Sequence, residues 1–352
     1  MKKKSLKLMS IASIFVLTIG LFAGCGSKDR SKEINILNYG ENIAEGVKKE
    51  FQKKTGIKVN EKTFDDMQYM YTEVSTGKVD YDVILVNDDM AEKMISEGLL
   101  QKLNKDKIPN LVNMNDQDMG KPYDVNNDYT VPYMNGTVGL IYNTELVDAP
   151  IDSWTALFDE KYKNEIFMFD NMRDTLGVAL KTLGYSLNST NPDELNEAKE
   201  LLIKQKELSP IYGADEVLDL MRTGEKTVAM IWSGEGLNLE AEDSKFKYII
   251  PKEGCDLWLD SWAIPNNAGN IEGAEMFMDF VSSGDIALRT ADEIGYTTPQ
   301  REAMEAQATE VKDNPNAYMP EDIFKLCEVY KSLTGKNLEL YQNTWNELRI
   351  GE

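Results

Sequence analysis

Short apolar runs alternate with amphipathic helical stretches along most of this 352-residue chain, and that alternation is typical of an α/β protein. Strands are predicted at 34–37, 59–64, 83–86, 129–133, 138–143, 165–169, 227–232 and 257–264. Helices are predicted at 43–55, from about 67, and at 90–97, 172–183, 192–206, 215–222, 271–281, 285–293 and most of 320–352, with an interruption near Gly335. The length suits two domains or one large bilobed protein.

Acidic, polar and aromatic residues directly follow several of the predicted strands. Ligands of open α/β sheets bind beyond the carboxyl ends of the strands, so these positions predict a binding site. The positions are Tyr39, Glu41, Asp88, Asp89, Asp170, Asn171, Asp174 and Trp232.

The stretch 257–262 carries the most specific local chemistry. Side chains alternate between the faces of a strand, so Trp258, Asp260 and Trp262 are predicted to share one face. An aromatic ring covers the methylenes of an alkyl ammonium ion and attracts its charge, while a carboxylate accepts its hydrogens. The alternative is that both tryptophans lie in the core and that Asp260 begins a turn.

Other polar residues have structural interpretations. Asn171 and Asp174 are three apart at a predicted helix start and resemble a capping pair, which also places them at the mouth of the sheet. Glu41 resembles a helix-start acid favoured by the helix dipole. The segment 124–128 has oxygen ligands at calcium-like spacing but lacks the glycine and distal glutamate of an EF-hand loop, so we predict a turn and no metal site.

Composition excludes several kinds of catalysis. The chain has no histidine, which removes serine–histidine and cysteine–histidine catalysis and the commonest general base. Walker, dinucleotide-glycine and GxSxG motifs are missing, so neither an enzyme nor a cofactor is predicted. Cys255 and Cys327 are predicted to be free thiols, although a disulfide between them would be compatible with export.

Residues 1–24 have the layout of a secretory signal, with four lysines, an apolar run and small residues before Cys25. The segment Leu21-Phe22-Ala23-Gly24-Cys25 resembles the bacterial lipoprotein cleavage box, which implies a lipidated Cys25 outside the cytoplasm. Residues 25–32 then form a flexible tether. The alternative is an uncleaved signal anchor, although about 20 apolar residues are needed to span a bilayer.

The charge of the mature chain bears on its partners. Removing residues 1–24 takes four lysines and no acid from a net charge of −22, which leaves −26. A surface this acidic argues against nucleic acid and against docking on anionic lipid. It is compatible with a cationic ligand, and also with solubility alone.

Together these segments resemble the spermidine/putrescine-binding proteins of bacterial ABC importers, from about Ile34 to the C-terminus. The matching segments are Thr55-Gly56-Ile57-Lys58-Val59, Asn126-Asn127-Asp128-Tyr129, Pro132-Tyr133, Ser153-Trp154-Thr155-Ala156-Leu157, Met230-Ile231-Trp232, Trp258-Leu259-Asp260-Ser261, Ala263-Ile264-Pro265, Ile294-Gly295-Tyr296 and Thr298-Pro299. The resemblance implies a two-lobed α/β fold of the type II periplasmic binding proteins, each lobe a mixed sheet flanked by helices and joined by a hinge. It implies lobe 1 at 33–136 plus 263–311 and lobe 2 at 137–262 plus 312–352.

The resemblance also implies substrate-binding roles for nine residues. They are Tyr39, Glu41, Asp88, Asn171, Asp174, Trp232, Trp258, Asp260 and Tyr296. Asn171 replaces one of two family acids, and Asp88 or Asp89 stands where the family has a tyrosine or serine, so the preferred polyamine stays open. A last polar contact of the family falls near Tyr330.

We therefore expect a monomeric, lipid-anchored binding protein that captures spermidine or putrescine and delivers it to an ABC permease with a cytoplasmic ATPase. The alternative among binding proteins is another organic cation, such as a quaternary amine, held by the aromatic residues. An extracellular enzyme and an adhesive lipoprotein are the alternatives from other classes.

Overall fold

The computed structural model describes residues 30–40, 42–214 and 216–350, whose strands form one mixed sheet. The strands are β1 (Glu33–Tyr39), β2 (Lys58–Phe64), β3 (Val83–Val86), β4 (Thr130–Asn143), β5 (Ile166–Phe169), β6 (Ile211–Gly213), β7 (Val228–Trp232), β8 (Phe246–Ile249) and β9 (Asp256–Ala263). Their order across the sheet is β2-β1-β3-β9-β4-β7-β5-β6, with β8 on the free part of β4. The mixed α/β fold class is confirmed.

The helices pack against this sheet and against one another. They are α1 (Val47–Thr55), α2 (Met67–Ser75), α3 (Asp88–Ser96), α4 (Met172–Thr182), α5 (Pro192–Gln205), α6 (Val217–Thr223), α7 (Ser233–Glu242), α8 (Ile271–Val281), α9 (Gly284–Ile294), α10 (Arg301–Ala306), α11 (Thr309–Lys312), α12 (Glu321–Phe324) and α13 (Gly335–Ile350). Local sequence sets their ends. Asp66 caps α2 by accepting from the Tyr69 N–H, and Gly56 ends α1 with φ 78°, a left-handed conformation that glycine adopts without strain.

Two strands pass from one half of the sheet to the other. β4 and β9 are antiparallel to each other, and the parallel strands β1–β3 and β5–β7 flank them on either side. On β4, Met134 is buried in the core beneath β1 and β3, whereas Val138 is buried in the core beneath β5 and β7. The sheets of the two lobes are therefore continuous through β4 and β9, and the exact lobe boundaries stay a prediction.

Three expectations about elements are wrong in detail. The segments 129–133 and 138–143 belong to the single strand β4, with a register shift against β9 between Pro132 and Met134. The first helix begins at Val47 because Gly46, at φ 81°, precedes it. The segment 325–334 is not helical, because its backbone pairs with the start of β9 through a bridge between Asp256 and Glu328.

Two buried aspartates tie loops to the sheet. Asp82, directly before β3, accepts from the Arg30 guanidinium and from the backbone N–H groups of Asn35, Gly269 and Asn270, at 2.7–3.0 Å. Asp124 accepts from the N–H groups of 128, 129 and 130 and from the Thr130 hydroxyl, at 2.7–2.9 Å. The turn predicted at 124–128 is thereby confirmed. The Asp124 carboxylate accepts hydrogen bonds from the backbone of this turn.

Several sequence features lie outside the described residues: the predicted signal, Cys25, most of the tether, Glu41 and Asp215. In the part of the chain that the structure does describe, no helix is long and apolar enough to cross a bilayer. Cys255 and Cys327 are free thiols, as predicted, with their sulfur atoms 3.4 Å apart.

Candidate ligand-binding site

The central strand β9 carries the most distinctive part of the site. Asp256, Trp258 and Asp260 alternate along one face of β9, and Trp258 packs against the cores of both halves of the sheet. Trp262, which shares the same alternation, is fully buried against Phe277 and belongs to one core only. The core interpretation is therefore correct for Trp262, whereas Trp258 lies at the junction between the halves.

Two glycines make room for the aromatic rings at this junction. A Cβ on Gly136 would clash with the Trp258 indole, and a Cβ on Gly234 would clash with the Tyr296 ring. The Trp258 and Tyr296 rings meet edge to face, with centroids 5.0 Å apart and planes at 83°. This contact is a favourable aromatic geometry, and it fixes the indole beside Asp260.

Asp260 is a buried carboxylate without a donor. It is 8% exposed, and none of the described residues donates a hydrogen bond to its side chain. Burial, together with the charge of Asp88, raises its pKa to about 8. Since an isolated buried charge is unfavourable, Asp260 is suited to a cation that arrives from outside the protein.

Asp88 is held by the protein itself. One carboxylate oxygen accepts from the Tyr123 hydroxyl at 2.7 Å, and the other accepts from the Leu259 N–H at 2.7 Å. Burial raises the pKa of Asp88 to about 7, although the hydrogen bond from Tyr123 lowers this pKa. The geometry shows Asp88 fixing the backbone beside Asp260, while direct contact with a ligand stays a prediction.

The start of α4 holds a second carboxylate. Asn171 caps the helix by accepting from the Asp174 N–H at 2.8 Å, and its amide donates to the Asp174 carboxylate, as the capping interpretation predicted. Tyr330 donates to the other oxygen of Asp174 at 3.1 Å. Burial raises the pKa of Asp174 despite these donors, which are both neutral. This cluster brings Tyr330, whose position the sequence left open, onto a predicted site residue.

Two further predicted site residues lie at the carboxyl ends of strands. Trp232 ends β7 and packs on Phe169, with ring centroids 4.4 Å apart. Tyr39 ends β1 and packs edge to face on Phe64 at 5.4 Å. Glu41 is not described, so its proximity to these rings stays a prediction.

Sequence reasoning missed two charged residues near this cluster. Asp256 is 8% exposed, and burial and the charge of Asp174 raise its pKa. Arg173 stacks on Tyr330 at 4.3 Å from the ring centroid, and its charge lowers the pKa of Asp89 and Asp256 against the effect of burial. Extending the predicted strand by one residue would have placed Asp256 on the face of Trp258 and Asp260.

The arrangement of the acidic residues bears on whether this site could bind a metal ion. Within residues 30–40, 42–214 and 216–350, no group of three or more acidic or cysteine side chains is arranged to hold a metal ion. The arrangement combines aromatic rings with buried carboxylates, which is the chemistry that recognises organic cations.

The family of this chain follows from comparison with known proteins. Residues 46–320 match the family model of bacterial extracellular solute-binding proteins. The chain belongs to this family. The spermidine/putrescine-binding periplasmic protein of Salmonella typhimurium is 32% identical over 353 residues, covering 100% of both chains. A putrescine-binding periplasmic protein of Pseudomonas aeruginosa is 29% identical and covers 97% of this chain and 98% of its own.

A solved structure shows the same fold for this solute-binding protein. The spermidine/putrescine ABC transporter substrate-binding protein of Streptococcus pneumoniae superposes with a TM-score of 0.84 at 31% identity. The match covers 91% of this chain and 99% of that one. The two-lobed periplasmic binding protein fold that the sequence resemblance implied is thereby confirmed.

Proposed function

We propose that this solute-binding protein captures a polyamine, spermidine or putrescine, and delivers it to an ABC permease driven by a cytoplasmic ATPase. The names of its relatives support the substrate class and the transport context. The observation that carries the proposal is the buried, donor-free carboxylate of Asp260 next to the Trp258 indole on β9.

The chemistry of the two side chains is complementary to an alkyl ammonium ion. The indole covers the methylenes and attracts the cation, while the carboxylate accepts N–H hydrogens and pairs the charge. A quaternary amine lacks N–H donors, so it would leave the buried carboxylate of Asp260 without hydrogen bonds. The acids on β9 therefore favour primary and secondary ammonium groups over quaternary ones.

The work of the protein is binding and lobe closure, with no bond made or broken. Candidate ligand contacts come from both predicted lobes, with Tyr39 at the end of β1 and Asp174 at the start of α4. A ligand that touches both halves is enclosed when they close around the hinge. We infer that the protein acts as a monomer in this role.

Titration calorimetry tests the proposal directly. Spermidine, putrescine, choline and an amino acid are titrated into the protein lacking residues 1–24. We expect spermidine or putrescine to bind and choline to give no measurable heat of binding. Tighter binding of choline, or binding of neither polyamine, would contradict the proposal.

The attachment to the membrane rests on Cys25. Two acyl chains hold a protein on a bilayer far longer than one, and the cleavage box before Cys25 is the motive for this assignment. We expect Cys25→Ala to release the protein from the membrane fraction. A Cys25→Ala protein that stays with membranes and retains residues 1–24 would contradict lipid anchoring.

A further inference from the structure

Asp256 begins β9 and is buried to the same extent as Asp260, at 8% exposed. Its backbone pairs with Glu328 of the C-terminal segment, which holds the residue in place. Its Oδ1 atom has no hydrogen-bond partner among the described residues. A buried polar atom without a partner is unusual in a folded protein and calls for an explanation.

A small cavity of about 10 Å³, roughly the space of one water molecule or one ammonium group, lies between Asp256 and α4. Its lining includes Asp174, Asp256, Lys181, Gly177, Tyr330 and Val138. Two carboxylates therefore face one space, and Tyr330 joins the cavity to the cluster already described at Asp174. The cavity therefore borders the Asp174 cluster at the start of α4.

The nearby cations of the protein are engaged with other groups. The Lys181 ammonium donates to Glu328 at 2.7 Å and to the Leu326 carbonyl at 2.9 Å. The Arg173 guanidinium donates to the Lys331 carbonyl at 2.9 Å and to the Asn188 side chain at 3.0 Å. Among the described residues, no ion pair reaches Asp256, and the Arg173 charge lowers its pKa only against the larger effect of burial.

Spacing along β9 indicates the size of ligand that would use this carboxylate. Asp256 and Asp260 lie four residues apart on one face, which corresponds to roughly 13 Å along a strand. Extended spermidine has nine bonds between its terminal nitrogens, whereas putrescine has five. A triamine is therefore long enough to reach both carboxylates past the Trp258 ring, and a diamine is too short.

We propose that Asp256 binds a terminal primary ammonium group of a linear triamine whose other nitrogens lie at Trp258 and Asp260. This inference rests on the proposed function and adds a specificity-determining residue to it. The ammonium donates hydrogens to the free Oδ1 of Asp256 and lies in the cavity beside Asp174. A diamine occupies the Trp258 and Asp260 position and leaves Asp256 unpaired.

Titration calorimetry with Asp256→Asn is the test, using spermidine and putrescine as the two probes. Asparagine keeps the shape and removes the charge, so spermidine affinity should fall at least about tenfold. Putrescine affinity should stay within about twofold of the parent, because no diamine nitrogen reaches this carboxylate. A matched control is Asp118→Asn, since Asp118 is also buried, at 3% exposed, with an unpartnered oxygen but does not line the cavity.

The outcomes separate this inference from the proposed function. Unchanged spermidine affinity in Asp256→Asn, or equal losses for both amines, would overturn the triamine contact while polyamine binding stands. A parent protein that binds neither amine would overturn both. If Asp256→Asn does not fold, Asp256→Ser is measured in the same way, with its circular dichroism spectrum and melting temperature compared with those of the parent.

Discussion

Buried aspartates lie near both ends of β3, at Asp82 and at Asp260, and they differ in their hydrogen-bond partners. Asp82, at the amino end, is fully buried and accepts from Arg30 and three backbone N–H groups. Asp260 lies on β9 near the carboxyl end, where Val86 pairs with Ser261, and no described residue donates to it. Burial alone therefore does not mark a binding residue, and Asp260 differs from Asp82 in lacking a described donor while lying on the same strand face as the Trp258 ring.

The difference has an energetic meaning. The charge of Asp82 stabilises the fold, because its partners are already in place in the native state. Ionisation of Asp260 destabilises the ligand-free fold, because no residue that the structure describes donates a hydrogen bond to offset the desolvation. In the proposed complex a bound cation supplies the missing partner, so the ionised carboxylate that weakens the ligand-free protein becomes a source of affinity.

The largest expected effect is on ligand affinity in Asp260→Asn. Losing one partner of a buried charged pair costs about 2–5 kcal/mol, so spermidine affinity should fall at least about tenfold in titration calorimetry. The melting temperature of the ligand-free variant should not fall, because the substitution removes an unpaired charge. Equal affinity in variant and parent would place Asp260 outside the site.

Asp82→Asn should show the opposite pattern. The substitution leaves Arg30 and three backbone amides without their carboxylate, so the free energy of unfolding should fall by about 2–3 kcal/mol in urea denaturation. The spermidine affinity of the folded variant should match the parent. If Asp82→Asn proved as stable as Asp260→Asn, the inference that Asp82 stabilises the fold and Asp260 does not would be contradicted.

The comparison also predicts a pH dependence that differs with and without ligand. The pKa values of Asp88 and Asp260 are raised by burial to about 7 and about 8, while both groups ionise freely near their ordinary values once unfolded. These groups therefore contribute stability that is fully present below about pH 4 and is lost as the pH rises through about 7 to 8. Melting curves of the ligand-free protein should show this loss.

Binding of a cation should reverse the trend, because it favours the ionised carboxylates. Spermidine should bind more tightly at about pH 8 than at about pH 6, with proton release at the lower pH. Calorimetry in two buffers of different ionisation enthalpy measures the released protons. Asp260→Asn should release fewer of them, and equal release in both proteins would contradict the assignment.

The smallest expected effect concerns the two tryptophans of β9. Trp258→Leu should weaken spermidine binding by about 1 kcal/mol, roughly fivefold, since it removes a cation–π contact at the junction of the cores. Trp262→Leu should instead lower stability and leave the affinity of the folded protein unchanged, because its ring is fully buried in one core. A loss of affinity in Trp262→Leu alone would show that the site is misplaced.

Much of the fold could be predicted because hydrophobic period and helix ends are local properties. Helix α8 matches its predicted bounds, and Gly56 ends α1 as expected. Helix α7 was missed because Gly234 and Gly236 weaken its local signal, and the reason for both glycines is non-local contact with Tyr296 and Tyr248. The continuous course of β4 was also hidden, because Asn135-Gly136, a turn-like pair, interrupts the apolar pattern between the two predicted strands.

The candidate site shows the same limit. Alternation along β9 placed Trp258 and Asp260 on one face, yet it could not separate Trp258 from the buried Trp262, since depth depends on the elements packed above. The hydrogen bonds that occupy Asp88 come from Tyr123 and from the backbone of Leu259, both distant in sequence. These long-range hydrogen bonds decide which buried carboxylate lacks a partner. The spacing of apolar and polar residues along the sequence does not reveal them.

The paired strands β4 and β9 have a mechanical consequence for this molecule. A two-stranded ribbon whose backbones are cross-linked by hydrogen bonds bends readily out of its plane but resists sliding of one strand along the other. In the proposed closure, the two halves of the molecule rotate about one axis across this ribbon. Sliding of β4 along β9 would break the hydrogen bonds between the two strands one by one. In the proposed closure, Asp260 and Trp258 therefore keep their register against β4.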